Sequence, residues 1–412
     1  MSIFKNIKTS YDDTFNIDAF GRLRVSQLTT QFDGKQIHDA LPLYYDVEEI
    51  GTGTAVHSTT NAESTLSTSA SSDAVIIQTK QRFNYMTGKS ALGFMTFRNF
   101  NLQTSIIKRV GYFNSNNSTP FNSDLDGFYL ESNALTSTID FVIAKGGTKN
   151  TINQSDWNMD KMDGTGASKI NLDLENETGN LLMYFSYEWL GIGIVEMGFA
   201  YNGSFYAAHR EDHIGADGVY MESPNHSLRY EIRQAGAGSG TFRQICSTFN
   251  TEGAIDTLGK ILSDNLGTAT VNANTVGTKY ALLGITLQSA KVDTLVDILD
   301  YSVLSITADN QLIELWLNPT VAGTFTYNAV TNSSVAVAKG DTSGNPSTNT
   351  VTGGTLVYSD YISSQDSFNI KVENAIRLGM TIAGTTDTLV LTTTPLTSNS
   401  DVTASIKWRE LS

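Results

Sequence analysis

From Trp157 to Arg233 the apolar and polar side chains trade places with the period of a strand. Ile170, Leu172 and Leu174 alternate with Lys169, Asn171 and Asp173, and Leu181, Met183, Phe185, Tyr187 and Trp189 repeat the pattern with larger groups. Val195, Met197, Phe199 and Tyr201 form a third run, with Glu196, Gly198 and Ala200 on its opposite face. A period of two predicts half-buried strands. Asn202-Gly203 follows directly, and both residues tolerate the positive φ of a type I′ turn, so the segment up to His209 reads as the returning arm of a hairpin. Further on, Leu228, Tyr230 and Ile232 alternate with Arg229, Glu231 and Arg233. Antiparallel strands with one apolar face bury it against a second sheet. The pattern predicts an all-β fold of antiparallel β-sandwiches, jelly-roll or lectin-like.

The rest of the chain divides around that stretch. Residues 1–60 hold apolar groups without strand or helix period, among them Phe20, Leu23, Phe32, Leu43, Tyr44 and Tyr45. They read as an extended N-terminal arm that packs on its own domain or on a neighbouring subunit, and these six side chains are the candidate assembly contacts. Residues 61–250 form the first, lectin-like sandwich. Residues 251–279 read as a linker with one short helix around Thr257–Leu262. Alternation resumes at Tyr280 and carries a second sandwich over 280–412, with turn signals such as Asn318-Pro319-Thr320 between its runs.

Composition narrows the partners. The 412-residue chain has 27 Lys and Arg against 42 Asp and Glu, a net charge of −15. No basic stripe interrupts that acidity, so a phosphate backbone is repelled and nucleic acid is excluded as a partner. The longest apolar windows, Trp189–Val195 and Ala281–Leu287, are too short for a membrane span, and the N-terminus lacks the apolar run of a signal peptide. These features point to a protein made without export and without a membrane partner. A single cysteine, Cys246, rules out an intrachain disulfide and reads as a small buried hydrophobe.

Four patterns suggest chemistry, and each has a plainer explanation. Gly88-Lys89-Ser90 resembles the end of a phosphate-binding loop but lacks the upstream glycine. Asp156 to Asp160 resembles half of a calcium loop, yet Lys161 stands where the turn needs Gly and Ala167 where a bidentate Glu belongs. A turn capping the sandwich is the better reading. His209 and His213 are four residues apart, a helical spacing for metal ligands that a strand spreads too far. Glu188 and Glu196 flank a bend, but no acid-base motif of a glycosidase accompanies them. The aromatics Tyr44, Tyr45, Tyr184, Tyr187, Tyr201, Tyr206 and Trp189 either fill the core or line a sugar-binding face. The expectation is no enzyme, no cofactor and no metal.

Several segments together resemble a family of virion structural proteins of tailed bacteriophages. They are Asp18-Ala19-Phe20-Gly21-Arg22-Leu23-Arg24-Val25-Ser26, Phe32-Asp33-Gly34-Lys35-Gln36, Gly88-Lys89-Ser90 and Arg109-Val110-Gly111-Tyr112-Phe113, then Trp157-Asn158, Asp163-Gly164-Thr165-Gly166, Glu188-Trp189-Leu190-Gly191-Ile192-Gly193, Leu228-Arg229-Tyr230-Glu231-Ile232 and Gln244-Ile245-Cys246-Ser247-Thr248. The likeness runs in order from Asp18 to Gly253. Gly34 and Ile194-Val195-Glu196 depart from it, where the family has a Ser and a more basic run. The resemblance implies a non-enzymatic component of the neck, tail, head decoration or fibre. Such a subunit is located in the virion after assembly in the host cytoplasm, as a homo-oligomer with other virion structural proteins as partners. The alternative is a receptor- or glycan-binding adhesin on the particle exterior, with host surface glycan as its partner.

Overall fold

The computed structural model describes residues 18, 23, 27–115, 125–189, 193–213, 218–254, 258–307, 309–371 and 377–411. The chain divides into two compact units, Met1–Asp256 and Thr257–Ser412. Each is an antiparallel β-sandwich, and among the described residues a single 3-10 turn, Gln154–Asp156, is the only helical element.

Two face-to-face sheets make the first unit. In strand order, one runs Ser204–Asp212 (β13), Ile194–Tyr201 (β12), Asn180–Tyr187 (β11), Ala91–Arg98 (β6), Gly240–Glu252 (β15), Glu63–Thr68 (β4) and Thr54–Ser58 (β3). Leu28–Lys35 (β1) also pairs with β15. The other runs Thr148–Asn153 (β10), Thr138–Lys145 (β9), Leu125–Asn133 (β8), Ile106–Ser115 (β7), Leu228–Gln234 (β14), Ala74–Thr79 (β5) and Tyr45–Ile50 (β2). Leu181, Met183, Phe185 and Tyr187 from one sheet meet Tyr112, Phe128, Leu228 and Tyr230 from the other in one buried cluster. Burying each such side chain is worth roughly 1.5–3 kcal/mol. The hairpin turn forms as expected: Asn202 and Gly203 have φ of 48° and 81° and join β12 to β13.

The second unit has a sheet ordered Lys260–Asn265 (β16), Ser400–Leu411 (β28), Leu295–Ser305 (β19) and Ser367–Lys371 (β26), with Val271–Ala273 (β17) also on β28. The opposing sheet is ordered Asn328–Ala329 (β22), Val335–Lys339 (β23), Tyr280–Leu287 (β18), Thr388–Pro395 (β27), Gln311–Leu317 (β20) and Thr355–Ile362 (β25). Thr320–Val321 (β21) and Val351–Thr352 (β24) form a small ribbon. Trp408 is fully buried in this core, and its indole donates to Glu410 Oε1 at 3.0 Å.

Three segments differ from the sequence reading. Strands β1, β2 and β3 lie within the residues expected as an arm and are integral to both sheets. Their periodicity is faint because charged or hydroxyl residues take alternate places on edge strands. Strands β16 and β17 fall within the expected linker and pair with β28. The helix expected around Thr257–Leu262 is corrected in part by β16, which begins at Lys260, because pairing along β28 overrides a weak local preference.

Candidate functional site

The outer face of the β7 sheet is built by simple strand alternation. Opposed residues share a face, so the register places Asn153, Asp140, Glu131, Arg109 and Glu231 in one row across β10, β9, β8, β7 and β14. The next row holds Tyr129, Gly111, Arg229 and Gln78. Surface position would leave these groups in water. Instead Arg109 and Glu131 are each 7% exposed, Arg229 and Glu231 each 1%.

Burial is tolerated because the charges are paired. Arg109 donates from Nε to Glu131 at 2.6 Å and from Nη1 to Glu231 at 2.5 Å. Arg229 donates to Glu231 at 2.8 Å and to Gln78 at 3.2 Å. Burial pushes the Glu231 carboxyl up, but Arg229 and Arg109 outweigh it and hold its pKa below the usual value. Beneath the guanidinium groups lies an aromatic floor. Phe113 and Tyr129 rings are 4.6 Å apart, with Arg229 over the first and Arg109 over the second. Glycines make room for them: a Cβ on Gly111 would meet the Tyr129 backbone at 2.6 Å, and one on Gly127 the Phe113 Cα at 2.7 Å. Gly127 also sits at φ of 117°, where other residues are strained. The resemblance segments Arg109–Phe113 and Leu228–Ile232 therefore meet in one buried cluster.

A second feature occupies the flank where β2 ends one sheet and β3 the other, joined through Gly51–Gly53. Among the described residues of the first unit, the exposed large apolar groups are Leu23, Leu28, Ile37, Leu43, Tyr44, Val47 and Val56, against Leu135 and Tyr201 elsewhere. Seven of those nine thus come from residues 23–56. The edges themselves are guarded: β2 carries Asp46, Glu48 and Glu49, and Glu49 accepts the Ala55 amide of β3 at 2.6 Å.

The candidate assembly contacts divide accordingly. Leu23, Leu43 and Tyr44 are exposed at 54%, 37% and 44%. Phe32 and Tyr45 belong to the core and stack edge-on at 5.6 Å. Phe20 lies outside the described residues.

The other candidates resolve into structural roles. Asp160 accepts the Met162 and Ser168 amides at 3.0 and 2.7 Å, so its carboxylate organises a turn. Among the described residues no group of three or more His, Cys, Asp or Glu could hold a metal. His209 bonds Glu211 at 3.2 Å, whereas His213 stacks on Tyr220 at 4.0 Å and bonds the Gly193 carbonyl, so the two imidazoles serve separate contacts. Glu196 is held by Arg210 and by the Tyr184 hydroxyl at 3.0 Å. Lys89 donates to the Ala254 carbonyl. Cys246 is half-buried with its thiol on Thr96 at 3.3 Å, less enclosed than its sequence context suggests. Tyr187 fills the core, Tyr184 is buried on the opposite face of that sheet, Tyr206 and Trp189 pack partly against the core, and Tyr201 is exposed.

No protein-family model matches this chain, and no curated protein matches it. Solved structures do. The carbohydrate recognition domain of Emp47p is 14% identical, with 55% of this chain covering 98% of that one at a TM-score of 0.35. The β-glucanase of Bacillus licheniformis is 10% identical over 54% of this chain and 99% of its own, TM-score 0.34. The VIP36 exoplasmic/lumenal domain, in its Ca2+/Man3GlcNAc-bound form, is 11% identical over 56% and 92%, TM-score 0.35. Likenesses at those scores carry no argument about what this chain does.

Proposed function

We propose that this chain is a non-catalytic structural subunit of a tailed-bacteriophage particle, assembling with copies of itself through the β2–β3 flank. The observation that carries the assembly is the run of exposed apolar side chains over residues 23–56, of which Val47 and Val56 lie on β2 and β3. Exposed apolar groups gathered in one stretch of chain, unlike single scattered ones, are candidates for an interaction surface. The acidic edge of β2 favours face packing over added strand pairing there, which keeps a closed oligomer from growing into a fibre. The phage assignment rests on the ordered motifs from Asp18 to Gly253.

The non-catalytic reading is supported by the state of the carboxylates. A glycosidase acid must hold a proton near neutral pH. Glu231 is held the other way by Arg229 and Arg109. The test is the solution mass of the whole chain beside its Val47→Glu, Val56→Glu double variant. A discrete oligomer that the variant dissociates supports the reading. A monomer in both, with no incorporation into particles, removes it.

A further inference from the structure

Resting on assembly through the β2–β3 flank, we propose that Arg98 and Arg243 receive a carboxylate from a second copy of this chain, supplied by Glu48 of its β2 strand. Arg98 on β6 and Arg243 on β15 oppose each other directly, a placement in which like charges repel. One buried carboxylate holds them together. Glu63 Oε1 accepts from Arg98 Nη2 at 2.7 Å and from Arg243 Nη1 at 2.5 Å. Burial pushes the Glu63 carboxyl up, but the two arginines outweigh it and hold its pKa below the usual value, so it is ionised at neutral pH.

Two cations therefore share one anion. The buried row on the other sheet differs, because there Arg109 and Arg229 meet both Glu131 and Glu231. Among the described residues no second carboxylate pairs with Arg98 or Arg243, and Arg98 Nη1 and Arg243 Nη2 meet no protein acceptor. The Arg98 and Arg243 side chains are 31% and 28% exposed, so a carboxylate can approach them from solvent. The surplus of one positive charge matches one carboxylate, and a chain of net charge −15 presents many.

Position on the sheet selects the second copy's β2. The register places Val56, Thr65, Arg243 and Arg98 in one row on one face of β3, β4, β15 and β6. Val56, at the end of that row, belongs to the exposed flank. Both guanidinium groups reach toward Glu63 on β4, one strand spacing of about 5 Å from β3. A two-fold axis across the flank can lie in two ways. Perpendicular to the strands, it sets β2 of one copy over β2 of the other, and the acids Asp46, Glu48 and Glu49 repel their own copies. Parallel to the strands, it sets β2 over β3, and the same acids meet the arginine pair twice by symmetry. Glu49 is engaged with the Ala55 amide, whereas the Glu48 carboxylate has no protein partner among the described residues.

The experiment is a double-mutant cycle on the association constant of the full chain, by sedimentation at low and high salt. Arg243→Gln and Glu48→Gln are each expected to weaken association about 10-fold at low salt, with less effect at high salt. Arg243→Gln leaves Glu63 paired with Arg98, so the monomer stays folded, which circular dichroism checks. The double variant is expected to be no weaker than either single one, because both remove the same contact. Association unchanged by Arg243→Gln overturns the site. Weakening by Arg243→Gln without Glu48→Gln, or fully additive losses, overturns the pairing with β2. A monomeric wild type removes the assembly reading as well. An oligomer that Val47→Glu with Val56→Glu dissociates, but that neither charge variant weakens, removes this site alone.

Discussion

The β2–β3 flank and the charged row across the β7 sheet invert the usual order in opposite ways. On the flank, Val56 is 60% and Tyr44 44% exposed; in the row, Arg229 and Glu231 are 1% exposed. Apolar groups are usually covered, and charges are almost never fully buried unless paired. The flank keeps its inversion at little internal cost, because the Val56 side chain lies mostly in solvent. The row keeps its inversion only while every charge holds its partner. The flank is therefore open to change without unfolding, whereas the row is part of what holds the sandwich together.

Breaking the row gives the largest expected effect. Glu231→Ala strips Arg109 and Arg229 of their shared acceptor, and leaving one partner of a buried pair uncompensated destabilises by about 3–5 kcal/mol. Urea denaturation measures it, and a loss below about 1 kcal/mol would mean that water replaces the carboxylate. Next comes Gly111→Ala. Its added Cβ would lie 2.4 Å from the Phe128 carbonyl oxygen, backbone that cannot move alone. Overpacking of this kind costs about 1–3 kcal/mol, read as a lower melting temperature.

Acid sharpens the contrast further. Glu231 has its folded pKa held below the unfolded value, so its contribution is present above the ordinary glutamate range and lost as pH falls through the folded pKa. Stability of the wild type should fall across that acid window more steeply than that of Glu231→Gln. Lys108 works at the other end. Burial lowers its pKa to about 7, while its amine meets the Asn101 carbonyl at 2.8 Å. The unfolded chain then binds the extra proton, so stability should rise between pH 7 and the ordinary lysine value of 10.5, and Lys108→Met should flatten that rise.

The fold was legible where both neighbours of a strand lie in the same sheet. Leu181 to Tyr187 and Leu228 to Ile232 announced their buried faces by strict alternation. The edge strands β2 and β3 did not, since Asp46, Glu48 and His57 interrupt the apolar signal. The row was the harder case. Arg229 and Glu231 alternate with core residues, and alternation predicts a wetted face. Only the register across three strands separated in sequence brings Arg109, Glu131 and Glu231 together. A signal did exist in Gly111 and Gly127, each placed opposite an aromatic, but its meaning depends on strand pairing. Of the side chains singled out in the first 45 residues, Leu43 and Tyr44 are exposed, while Phe32 and Tyr45 lie in the core.

The smallest expected change in stability accompanies the decisive change in assembly. Val47→Glu with Val56→Glu should alter stability by about 0.5 kcal/mol or less per site, as for other exposed positions. Sedimentation equilibrium of the wild type and this double variant, at matched concentrations, tests the assembly claim most directly. A wild-type oligomer of fixed mass that the variant reduces to folded monomer is the predicted result. An oligomer of unchanged mass and affinity in the variant would contradict it.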